Sequence, residues 1–128
     1  MENAQAISTA EVPKAIRPYS QGILAGQFLF VSGQLPINPT KEKMIDTNIA
    51  ERAKQVFRNI SAIIDSADGS IADVVKITLF LTDMCNFQHV NEVSSQHFKS
   101  PYPARSAIQV SDLPLGSNIE AEAIVYIP

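Results

Sequence analysis

Three side chains near the C-terminal end have the types and spacing to handle a small anion: Arg105, Glu120 and Glu122. A guanidinium is a planar, two-pronged donor that matches a carboxylate and stays charged at any working pH. A carboxylate can hold a water molecule and take its proton, which is the work of a general base. On the residues alone a second reading is equally open. Arg105 paired with Glu120 or Glu122 in a structural ion pair would look much the same.

The elements that must position these groups are legible from period-2 alternation. Arg105 to Val110 and Ile119 to Ile127 both read as strands, joined by the turn Leu113-Pro114-Leu115-Gly116. On the first, Arg105 points with Ala107 and Gln109, opposite Ser106, Ile108 and Val110. On the second, Glu120 and Glu122 point opposite Ile119, Ala121, Ala123 and Val125. The expectation is that the two strands are neighbours and carry Arg105 and both glutamates on one non-core face.

Earlier in the chain, Ala4–Ile7 predicts a short strand, and a loop punctuated by Pro13 and Pro18 follows. Gly22 to Gln34 predicts two strands around a turn at Gly26, with Leu29 and Val31 on one face and Phe28, Phe30 and Ser32 on the other. Gly33 marks a place where backbone bends or comes close to another group. Pro36, Asn38 and Pro39 exclude a central strand there. Thr47 to Ala67 carries an apolar stripe at helical spacing, including Ile49, Val56, Phe57, Ile60, Ile63 and Ile64. Gln55 and Arg58 fall on its wet side, Asp46 or Thr47 is the expected N-cap, and Gly69 the stop. Asp73 to Thr82 predicts a strand with Val75, Ile77, Leu79 and Leu81 inward. A second helix runs from about Phe87 to Phe98. The predicted order is β-ββ-α-β-α-β-β, an α+β sheet with two helices on one face.

The helices are then used up on one side. The other face collects Phe28, Phe30, Phe80, Ile124 and Tyr126, too much apolar surface to leave in water. A symmetric homo-oligomer would bury it, leaving charged residues in clefts between chains.

Composition narrows the function further. With 128 residues, 45% hydrophobic and 18% charged, the chain reads as a single globular domain spanning 1–128. A formal charge of −3 and the lack of a Lys/Arg block argue against nucleic-acid binding. No apolar run approaches a membrane span. The opening residues lack a basic and an apolar stretch, so no secretory signal is expected. Cys85 is the single cysteine, which fits a reducing compartment, and a cytoplasmic location is the expectation. His89 and His97 have no partners at metal-ligand spacing, so no metal is expected.

Six pieces, in order, resemble the reactive intermediate deaminase family, also called Rid or YjgF-like. They are Ile16-Arg17-Pro18-Tyr19-Ser20-Gln21, Val31-Ser32-Gly33-Gln34, Asp73-Val74-Val75-Lys76, Phe87 through Asn91, Pro103-Ala104-Arg105-Ser106, and Leu113-Pro114-Leu115-Gly116 leading to Ile119-Glu120-Ala121-Glu122-Ala123. The resemblance covers almost the whole chain. It implies a chorismate-mutase-like fold and a homotrimer whose sheets close a central barrel, with active sites in the intersubunit clefts. It also implies cofactor-free hydrolysis of reactive 2-imino acids and their enamine tautomers to 2-keto acids and ammonia. Arg105 would anchor the substrate and Glu120 act on water, both catalytic, while Tyr19, Ser32, Gly33, Asn91 and the backbone of Ala107 bind substrate. Two positions depart from the family pattern. Ala107 stands where many members have Cys, which removes any thiol nucleophile. Arg17 stands where Gly is usual, placing a bulky cation near the expected pocket mouth. A non-catalytic trimer that binds small anions is the alternative, and an RNA-directed role, sometimes attributed to the family, is disfavoured by the acidic balance.

Overall fold

A computed structural model describes residues 3–15 and 18–128. Eight strands and two helices follow in chain order: β1 (Ala4–Ile7), β2 (Gly22–Ala25), β3 (Phe28–Gln34), β4 (Ile37–Asn38), β5 (Lys43–Met44), α1 (Ile49–Ser66), β6 (Val74–Leu81), α2 (Phe87–His97), β7 (Ala104–Gln109) and β8 (Ile119–Tyr126). Six of the strands make one mixed sheet in the order β1-β2-β3-β8-β6-β7, and β4 and β5 form a separate small hairpin. Only β6 and β7 run parallel, because α2 carries the chain back across the sheet between them.

Both helices lie on one face of the sheet, α1 over β3 and β8 with α2 beside it. The alternating residues of the strands supply the core: Leu29 and Val31, Ile77, Leu79 and Leu81, and Ile119, Ala121, Ala123 and Val125, all buried. The α1 stripe of Val56, Phe57, Ile60, Ile63 and Ile64 packs onto them. This is the expected α+β architecture. Among the described residues the opposite face carries no helix. Phe28, Phe30, Ile108 and Tyr126 are exposed there, and Phe28 packs edge-on against Tyr126 at 5.3 Å.

Several local expectations are corrected. The N-cap of α1 is Asn48, whose Oδ1 accepts the Glu51 N–H at 2.9 Å, rather than Asp46 or Thr47. Gln55 is buried instead of wet. It donates to Asn59 Oδ1 at 2.9 Å, and Asn59 in turn donates to the carbonyls of Leu35 and Ile37, tying the β4–β5 segment to the helix. In β6 the inward residue at the start is Val74, with Val75 exposed. A register shift against β8 between Val74 and Lys76 inserts one extra residue there and breaks the alternation. Asp68 holds the positive φ that ends α1, one residue before Gly69. His97 is half-buried against the Phe57 ring, with its pKa lowered first by burial and then by Arg58 and Lys54.

Candidate active site

The sheet topology alters the arrangement expected for Arg105. Strand β6 lies between β7 and β8, so the two are not neighbours. In the parallel β6–β7 register Ile77 pairs with Arg105, Leu79 with Ala107 and Leu81 with Gln109. Paired residues share a face, so Arg105, Ala107 and Gln109 point with the core residues toward α2. Ser106 and Ile108 point to the open face instead, where Ser106 Oγ accepts from Lys76 Nζ at 3.1 Å. The two sides of β7 are exchanged relative to the expectation. Its apolar residue, Ile108, belongs to the open face, which is itself apolar.

Glu120 and Glu122 do lie on the open face, opposite Phe80 and Thr78 of β6. The chain therefore carries two candidate half-sites on opposite sides of one sheet. The first is Arg105 at the sheet edge. Its Nη1 donates to Asn91 Oδ1 on α2, and its Cζ stands 5.1 Å from the centre of the Phe87 ring. Among the described residues the carboxylates form no ion pair with Arg105, so the structural pairing with Glu120 or Glu122 does not occur within the chain. A cleft of about 460 Å³ opens beside Arg105 and Asn91, between Ser94, Phe98, Tyr102 and Pro103. Ala107 follows on the same strand. As an edge strand, β7 turns alternate backbone N–H and C=O groups away from β6.

The second half-site surrounds Glu120. Strand β3 carries two residues, Ser32 and Gly33, opposite the single residue Glu122, so the ladder bulges between Val31 and Gln34. The bulge brings the Gly33 backbone under the Glu120 carboxylate: a β-carbon at Gly33 would meet its Cδ at 2.9 Å and its oxygens at 3.1 and 3.2 Å. Glycine is required here for close approach, as the sequence suggested. Ser32 Oγ donates to the Ser20 carbonyl and Ser32 N–H to that of Gln21 at 2.9 Å, holding the Tyr19 segment alongside the bulge. Tyr19 is exposed. Arg17 lies outside the described residues. Burial is the larger cause that raises the Glu120 pKa, and the neighbouring Glu122 carboxylate adds to it.

Supporting residues escaped the sequence reading because each is an ordinary polar side chain. Gln21 is buried, donates to the carbonyls of Thr9 and Pro13, and accepts from Thr9 N–H at 2.8 Å, which ties down the loop before Tyr19. Arg52 donates to Asn118 Oδ1 at 2.9 Å, steadying the entrance to β8 two residues before Glu120. A glutamine inside a Pro-punctuated segment was the one visible signal. Asn91, expected to touch substrate, accepts from Arg105 and lines the same cleft. No cluster of His, Cys, Asp and Glu among the described residues could hold a metal ion, and no described helix is long and apolar enough to cross a membrane.

Comparison with known proteins identifies relatives of the whole chain. A family model described as Endoribonuclease L-PSP matches residues 9–127. A human protein named 2-iminobutanoate/2-iminopropanoate deaminase is 44% identical over 118 residues, covering 92% of this chain and 86% of the relative. A crystal structure from Thermotoga maritima superposes with a TM-score of 0.95 at 43% identity, covering 97% of this chain and 98% of that one. The crystal structure of RidA from an Antarctic Psychrobacter gives a TM-score of 0.92 at 42% identity, covering 96% and 99%. With a family model over residues 9–127 and relatives above 40% identical along nearly the full length of both chains, the chain belongs to the reactive intermediate deaminase (Rid, YjgF-like) family.

Proposed function

We propose that this chain is a cofactor-free deaminase that hydrolyses 2-imino acids, such as 2-iminobutanoate and 2-iminopropanoate, to 2-keto acids and ammonia. It acts as a homotrimer, each site drawing Arg105 from one chain and Glu120 from the next. The observation that carries the reading is the state of Arg105: fixed in place, yet with no carboxylate of its own to satisfy it among the described residues. A guanidinium so held is a receptor for an external carboxylate. The name of the human relative supplies the substrate class.

The chemistry follows from the groups present. Arg105 binds the substrate carboxylate beside the C=N carbon, assisted by outward backbone groups near Ala107. Glu120 removes a proton from water as its oxygen bonds to that carbon, and the C=N π electrons move to nitrogen, which takes up a proton. Glu120, having given the first proton to nitrogen, then takes the hydroxyl proton and passes it to the amine, so that C=O forms as the C–N bond breaks and ammonia leaves. Ser32, Gly33 and Tyr19 shape the Glu120 side of the cleft. Ala107 offers no thiol, so no covalent intermediate on that residue is involved.

The test is ammonia release from freshly generated 2-iminobutanoate in an assay coupled to a dehydratase. Arg105→Ala should lower kcat/KM by roughly ten- to more than a hundredfold, the worth of a charge-assisted hydrogen bond, while the assembly persists. An unaltered rate for that variant would remove Arg105 from the mechanism. A wild-type rate no faster than spontaneous hydrolysis would leave a binding protein rather than an enzyme.

A further inference from the structure

We infer that Phe87 is a positioning residue for the anion site: its ring carries the Arg105 guanidinium and, with Asn91, presents the remaining N–H donors to the substrate carboxylate. The inference rests on the anchoring role proposed for Arg105. An exposed arginine on an edge strand ordinarily samples many rotamers, and each binding event must then freeze them. Here two neighbours remove that freedom beforehand. Phe87 and Asn91 are four residues apart on α2, so they face the same way one turn apart. The ring lies under Cζ at 5.1 Å, within cation–π range, and Asn91 Oδ1 engages Nη1.

The helix that carries both is itself registered to the arginine strand. Just before α2, the Asp83 carboxylate accepts the Cys85 N–H at 2.8 Å. The Met84 N–H donates to Gln109 Oε1 at 3.0 Å. Gln109 shares the Arg105 face of β7, four residues further on. Strand and helix are thus locked at both ends of the same row of side chains, and the ring cannot drift from the guanidinium. Phe87 also fills space against the core, so simple truncation would mix packing with positioning.

A ring-fluorination series separates the two, because fluorine withdraws π density while leaving the shape nearly unchanged. Phenylalanine carrying one, two and three ring fluorines is incorporated at position 87 of the full chain. Affinity for 2-oxobutanoate, the keto acid of the proposed reaction, is then measured by calorimetry. Affinity should weaken stepwise, reaching about two- to fivefold at the trifluoro ring, with no change in assembly. Phe87→Tyr should bind as wild type does and Phe87→Leu at least as weakly as the trifluoro ring. A flat series, with Arg105→Ala abolishing binding, would overturn the role of Phe87 and leave the anchor intact. If Arg105→Ala binds the keto acid as wild type does, the anchor falls and Phe87 with it.

Discussion

A methyl group on Gly33 would press into the Glu120 carboxylate at 2.9 Å. Because the atoms it meets are the far end of a flexible side chain, the fold would tolerate Gly33→Ala by swinging the carboxylate aside. We therefore expect nearly unchanged thermal stability and a loss of kcat/KM approaching 10²-fold, the cost of about an ångström of misplacement. Melting curves and steady-state rates on the same preparation test both halves of that statement. The charge beside Glu120 supplies a second prediction. Its folded pKa is raised, so its base form accumulates only above that value, and kcat/KM should climb through it as pH increases. Glu122→Gln deletes the smaller of the two causes, so the acidic limb should move to lower pH. Glu120→Gln should erase the limb and cost about 10² to 10⁴-fold. The same shift acts on stability with a fixed sign. The stabilisation tied to the protonated carboxyl is present below the ordinary pKa and fades as pH rises through the raised one.

At the scale of elements, the periodic segments were legible and the exceptions have physical causes. Ile49 to Ile64 and Ile119 to Val125 bury one side against a continuous core, so their hydrophobic spacing reports their orientation directly. Strand β7 carries no such record. It is an edge strand whose helix side holds Arg105 and Gln109 and whose open side holds Ile108, the reverse of the usual polarity. The two-for-one bulge at Val75 likewise cannot be seen in a count of alternating residues, since it depends on the pairing with β8. Gln55 looked solvated because its partner Asn59, one turn on, is itself held inward by the carbonyls of Leu35 and Ile37, which only tertiary folding brings there. The residues of the candidate site were named from motif order, whereas their division between two faces required the strand order. Helix α1 offers a check confined to this scale. Asn48→Ala removes the bond to Glu51 N–H and should cost about 1 kcal/mol. At fixed protein concentration the midpoint should drop by a few degrees, with the keto-acid affinity unmoved.

For the whole molecule, the telling fact is that one sheet separates Arg105 from Glu120. If neighbouring chains complete the site, two dead variants should rescue each other. Arg105→Ala and Glu120→Gln chains, unfolded together and refolded as a statistical mixture of trimers, should regain about a quarter of the wild-type activity, one competent cleft in each mixed ring. No recovery would confine the site to a single chain. Placing a charge in the open face, as in Phe30→Asp, should yield a folded but dispersed chain by light scattering, devoid of turnover.

If neighbouring chains complete the site as proposed, a sheet that holds Arg105 and Glu120 back to back would also make the protein a concentration gauge. Turnover per milligram would hold steady at high abundance and then collapse on dilution past the dissociation point. Newly synthesised copies would stay silent until enough of them had met.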